Sequence, residues 1–96
     1  MILEIAQITV HASTEAQFEK IFPAAVRLLA ASPGYIGHEL QRSIETPNRY
    51  ALLVRWRTLE DHTVGFRGSP AFAAWRAQLA AVLAGPPVVE HFRTPG

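Results

Sequence analysis

The chain has 96 residues, nearly half of them apolar, with a formal charge of +1, and it contains no cysteine. A single domain of this length buries only about 60–65% of the surface its unfolded chain exposes, so the apolar surplus argues for burial against a second copy. Disulfides, thiolate catalysis and cysteine-ligated metals are excluded, and the eight scattered arginines give little electrostatic support for nucleic acid binding. The opening MILEIAQITV has no basic region, includes Glu4, and reads as neither a signal peptide nor a membrane span. The expectation is one soluble, cytoplasmic domain over residues 1–96 that pairs with itself and contacts neither nucleic acid nor membrane.

From Ile2 to His11 the chain alternates, with Ala6, Ile8 and Val10 against Gln7, Thr9 and His11, which predicts a strand. Ser13 is the expected cap of a helix whose apolar positions are Phe18, Ile21/Phe22, Ala25 and Leu28/Leu29, ending at Ser32-Pro33-Gly34. Pro23 lies inside that run and is expected to kink or divide it. Residues 35–45 read as a half-exposed strand with Ile36, His38, Leu40 and Ile44 on one face. Thr46-Pro47-Asn48 turns the chain into RYALLVRWR, apolar on both faces and therefore a central strand.

Thr58, with Asp61 three residues on, predicts the start of a short helix carrying Leu59, His62 and Phe66 on one face and ending near Gly68. Ser69-Pro70 restarts a helix at once, because serine suits the cap and proline's fixed φ suits the first turn. Phe72, Trp75, Leu79 and Val82/Leu83 make its apolar stripe as far as Gly85-Pro86-Pro87, and VVEHF supplies a last strand. The order β-α-β-β-α-β, with the second helix split, is that of the α+β ferredoxin-like unit, an antiparallel sheet with helices on one face. The uncovered face is the natural surface for a homodimer.

The hairpin ending RYALLVRWRTLEDH, the split helix GFRGSPAFAAWR and the terminal PPVVEHF are similar to those of the antibiotic biosynthesis monooxygenase family, and in particular to a bacterial branch of unassigned reaction. The resemblance implies a dimeric α/β barrel with a pocket between sheet and helices. It implies oxidation of an aromatic phenol or quinol by O2 without a cofactor. The chain has neither a dinucleotide glycine motif nor a metal-ligand spacing. It departs from the haem-degrading members, whose histidines in the helix after the third strand fall at Phe66 and Ala71, and whose first-strand asparagine falls at Ala6.

The candidate site gathers around EDHTVGFRGSPAFAAWR. His62 is the expected base, since a neutral imidazole accepts a phenolic proton near neutral pH; the plainer alternative is a histidine bonded to a backbone carbonyl. Arg67 and Arg76 are the expected anion stabilisers, against salt bridges with Glu60 or Asp61. Trp75, Trp56, Phe66 and Tyr50 are the expected pocket walls; Trp75 suits core equally well, and Trp56, at the end of the central strand, suits core better. Arg55 and Arg57 suit a dimer contact, Glu90 a structural ion pair, and the four histidines show no chelating spacing. A small-ligand-binding dimer without chemistry, or an isomerase or decarboxylase on the same scaffold, remains the alternative, because a fold does not determine a reaction.

Overall fold

A computed structural model describes all residues, 1–96. Its elements are β1 (Ile2–Thr9), α1 (Glu15–Ala30), β2 (Tyr35–Arg42), β3 (Arg49–Trp56), a π-helix (Asp61–Phe66), α2 (Pro70–Leu79) and β4 (Val88–Phe92). The sheet is antiparallel in the order β2-β3-β1-β4. The two strands richest in apolar residues therefore lie at its centre. Both helices pack on one face and against each other, as the ferredoxin-like reading requires.

Alternation along β1 and β3 divides their residues between the two faces. Ala6, Ile8, Tyr50, Leu52, Val54 and Trp56 point under the helices and are buried. From α1 they meet Phe18, Phe22, Ala25, Val26 and Leu29, and from α2 Trp75 and Leu79. On the other face the pairing sets Ile5 between Leu53 and Glu90, and Leu3 between Arg55 and Phe92. Val88 and Phe92 on that face are exposed.

Several local expectations are corrected. Thr14, not Ser13, occupies the cap of α1; its hydroxyl donates to the His11 carbonyl at 2.7 Å, while Ser13 takes a left-handed φ of 73°. Pro23 neither divides nor interrupts α1, which runs unbroken because buried residues on both sides of it hold one face to the sheet. A bulge between Tyr35 and Gly37 moves Ile36 to the outer face, 53% exposed, and Ile44 lies in the following loop beyond the strand. Gly34, at φ 86°, is required twice over, since a Cβ there would also overlap the Asp61 carboxylate.

The predicted short helix after β3 is wound as a π-helix, with Arg67 N–H donating to the His62 carbonyl at 3.1 Å. Its start is the expected reciprocal pair: Asp61 Oδ2 accepts from Thr58 N–H and Thr58 Oγ1 from Asp61 N–H, each at 3.2 Å. α2 starts at Ser69-Pro70, although Ser69 Oγ donates back to the Phe66 carbonyl instead of capping forward. It stops at Leu79, short of the predicted stripe, because the next residues join the end of β1: His11 N–H donates to the Val82 carbonyl and Ala84 N–H to that of Thr9, both at 2.8 Å. No helix is long and apolar enough to cross a membrane.

Candidate functional site

Under α2 the helical layer stands off the sheet and leaves a cavity of about 880 Å³, within the range of small-molecule pockets. Its floor is β1 and β3 through Ala6, Ile8 and Leu52, and Leu29 of α1 closes one side. The roof is α2, where Ala73, Ala77 and Ala80 present only methyl groups, so the space beneath them stays open. Gly85-Pro86-Pro87 and Val89 border the far side.

One end of this apolar slot is polar. β1 places Glu4 there, on the buried face that Ala6, Ile8 and Val10 continue, and only 4% of it is exposed. Trp56, across the sheet on β3, donates its indole Nε1–H to Glu4 Oε1 at 2.9 Å. The π-helix lowers His62 onto the Trp56 ring, with centroids 5.3 Å apart and nearly parallel planes, so that His62 Nε2 lies 3.4 Å from the same Glu4 oxygen. The other imidazole nitrogen, Nδ1, is 2.7 Å from Nε2 of His91 on β4. Four side chains from four elements thus form one line, Trp56–Glu4–His62–His91.

Burial dominates the electrostatics. It raises the Glu4 carboxyl above its ordinary pKa, against the opposing pull of the Trp56 hydrogen bond and the Arg67 charge. It lowers His62 to about 4, with Arg67 and His91 adding to the effect. His91 is lowered by burial and by Arg67. Near pH 7 both imidazoles are therefore neutral, and the His62–Glu4 contact is not an ion pair. Between two neutral rings the short N···N contact has one donor and one acceptor, so the tautomers of the two histidines are tied together.

The predicted residues divide into two groups. His62, Phe66, Arg67, Trp75 and Arg76 all border the cavity. Neither Arg67 nor Arg76 forms the alternative salt bridge with Glu60 or Asp61: Asp61 is occupied at the helix start, and Arg76 lies over the Phe72 ring, 5.6 Å from its centroid. Trp56 and Tyr50, expected as walls, do not border it. Trp56 is fully buried behind Glu4. Tyr50 lies under α1, where its hydroxyl donates to Glu19 at 2.6 Å and its pKa is pushed up to about 12 by burial and by that carboxylate.

His62, expected as the base, has its Nδ1 held by His91 at 2.7 Å and its Nε2 facing Glu4 Oε1 at 3.4 Å. Glu90 points to the outer face without the ion pair expected of it, and its neighbour His91 points inward. Glu4 is the residue that sequence reasoning missed. Its signal was available, since carrying the alternation of Ala6, Ile8 and Val10 back one step puts a carboxylate on the core face.

With this geometry in view, the relatives of the chain become informative. The family model for antibiotic biosynthesis monooxygenases matches residues 1–78. An uncharacterized protein of Bacillus subtilis (strain 168), YczJ, is 41% identical over 93 residues, spanning 97% of this chain and 98% of that one. A crystal structure from Bordetella bronchiseptica, assigned to the same monooxygenases, is 41% identical and superposes with a TM-score of 0.93, covering 98% of this chain and 96% of the other. SnoaB, a cofactor-independent oxygenase from Streptomyces nogalater, is 22% identical with a TM-score of 0.83, covering 99% and 93%, a likeness of fold alone. The hairpin, split helix and closing strand that carry the cavity are thus held in common with these proteins, and the chain belongs to the antibiotic biosynthesis monooxygenase family.

Proposed function

We propose that the protein is an oxygenase that binds a flat aromatic phenol or quinol in the cavity under α2 and passes its electrons directly to O2, without a cofactor. The observation that carries this reading is the pairing, in one apolar slot, of a buried acid–base group with two guanidinium side chains held by no carboxylate. The slot excludes water from the ring, and Arg67 and Arg76 stabilise the anion formed when the hydroxyl ionises. An electron-rich phenolate is itself the reductant. In a phenol with a hydrogen on the ring carbon opposite the oxygen, that carbon loses its hydrogen and gains one oxygen atom, the ring becomes a quinone, and the second oxygen atom leaves as water with the two hydrogens released. A quinol takes the oxygen at a ring carbon that still carries hydrogen. The cofactor-independent oxygenase SnoaB shares the fold.

The same reading includes a homodimer. Leu3, Ile5, Leu53, Val88 and Phe92 line the sheet face that no helix covers, and a second copy placed there removes them from water. It also places the protein in a reducing cytoplasm, in keeping with the absence of cysteine.

Oxygen uptake by metal-stripped protein over a panel of anthrones, naphthols and hydroquinones tests the reaction. Saturable uptake with about one O2 consumed per quinone formed is the expected result. Ligand binding without uptake across the panel would leave a binding protein, and proton transfer without uptake would leave an isomerase.

A further inference from the structure

The carboxyl of Glu4 has one oxygen committed and one free. Oε1 receives the Trp56 indole at 2.9 Å and faces His62 Nε2 at 3.4 Å, while Oε2 makes no hydrogen bond within the chain. No buried side-chain polar atom lacks a partner, and Glu4 borders the cavity, so Oε2 is open to whatever the cavity holds. His62 stands in the opposite situation, with a protein group at each ring nitrogen. Around the carboxyl are Trp56 from β3, His62 from the π-helix, Arg67 just past its end and His91 from β4; Arg76 of α2 borders the same cavity.

Resting on the function proposed above, we infer that Glu4 is the catalytic base, that its Oε2 takes the hydroxyl proton of the bound phenol, and that His62 and His91 are positioning residues whose paired tautomers follow Glu4. When Glu4 is a carboxylate, His62 carries its proton on Nε2, directed at Oε1, and His91 Nε2–H donates to His62 Nδ1. When Glu4 is protonated and the acid rotates so that the proton lies on Oε1, the pair can reverse: His62 Nδ1–H donates to His91 Nε2, and His62 Nε2 accepts from Oε1–H. Both imidazoles are neutral in either arrangement, so the relay adds no charge to an apolar site.

The proton accounting closes over one turnover. The ligand O–H bond breaks and a Glu4 O–H bond forms, leaving the electron pair on the phenolate oxygen. After the ring carbon bonds to O2, Glu4 returns the proton to the peroxide. It then removes the ring hydrogen as the O–O bond breaks, and that proton joins the departing hydroxide as water. The substrate loses two electrons from its C–H bond and two on ionising and bonding to oxygen; O2 accepts all four, two retained in the quinone C=O and two in water.

The test separates this inference from the oxygenase reading by using an anaerobic step. 1-Naphthol is titrated into the oxygen-free protein at pH 7, and the absorbance band of its anion is followed. The wild type is expected to bind naphthol as the anion. Glu4→Gln keeps an acceptor for the Trp56 indole, and it is expected to bind naphthol within a few-fold of wild type but neutral, and to lose about 100-fold or more in the rate of O2 uptake. His91→Gln should leave KM within about twofold while displacing the acid limb of the pH–rate profile, a change that a packing role would not produce. Should Glu4→Gln not fold, the infrared difference spectrum of the wild type on binding naphthol is read for a new carboxylic acid C=O band, which is expected. An anion formed equally well by folded Glu4→Gln overturns the assignment, as does a wild type that forms none or shows no new acid band. Anion formation without O2 uptake would instead remove the oxygenase reading and leave Glu4 as the base.

Discussion

The space beneath α1 and the space beneath α2 are built on the same sheet and come out differently. Under α1, Phe18 reaches down to Tyr50, their rings 4.6 Å apart, Phe22 packs on Phe18, and the region is filled. Along α2, the exposed Ala73, Ala77 and Ala80 border the space without filling it, and the cavity of about 880 Å³ remains. The polar groups follow the same division. In the filled half the tyrosine hydroxyl escapes to Glu19 at the rim, whereas in the hollow half Glu4 and His62 stay inside, the one bonded by Trp56 and the other by His91. Stability is concentrated in the filled half, and the hollow half gives up packing for a place where a ligand can meet a carboxyl.

Substitutions on the two sides should break this contrast in different ways. The largest effect is expected from Phe18→Ala, which opens a void among fully buried neighbours and costs about 3–5 kcal/mol in urea unfolding, a large share of the roughly 5–15 kcal/mol that holds a small domain together. Trp56→Phe tests the seam between the halves. It keeps most of the ring but removes the indole donor from Glu4, and a loss of about 1–3 kcal/mol is expected from the orphaned acceptor. A near-neutral result would mean that water or Arg67 replaces the bond.

Ala77→Phe should do the reverse of a core deletion. Filling the cavity should weaken naphthol binding by about tenfold or more without lowering Tm, because the new ring enters space that already exists. Wild-type binding in that variant would place the ligand elsewhere. Arg76→Gln should have the smallest effect, a few-fold rise in the Kd of an anionic ligand with no change in Tm, since this guanidinium holds no carboxylate in the free protein.

Acid should also distinguish the halves. His62 is neutral when folded and titrates at about 4, against 6.5 unfolded, so between those values the unfolded chain binds the extra proton and stability falls as the pH falls. Glu4 has the opposite sign. Its raised pKa means that the folded state holds the proton more tightly, so its contribution is fullest below 4.5 and is lost as the pH rises through the folded value. His62→Gln should therefore flatten the decline of Tm between about pH 6.5 and 4, whereas Phe18→Ala should shift the whole Tm–pH curve downward without changing its shape.

Much of the site was legible along the chain. His62 and Phe66, four apart, were read on one helix face and Trp75 on the stripe of the next helix, and with the two arginines of the same stretch they border one cavity. Glu4 and His91 were not recognised, although each sits in a plain alternating strand. One is near the first residue and the other near the last, and only the pairing of β4 beside β1 makes them neighbours of His62. Tyr50 and Trp56 were assigned to the wall from their size and polarity, and the strand register instead put one under α1 and the other behind a carboxylate.

Composition, alternation and helix-start chemistry by themselves determined the order of elements and the central position of the two most apolar strands; the family came from the likeness of the hairpin, split helix and closing strand to known members. The order and the strand positions depend on near-neighbour geometry, which the period of the backbone sets. Only the tertiary structure decided that the Pro23 helix stays whole, that the segment after β3 winds as a π-helix, and that a buried carboxyl from β1 meets the histidine at the edge of the cavity. Those outcomes depend on contacts between residues far apart in the chain, where burial and the available partners outweigh local preference.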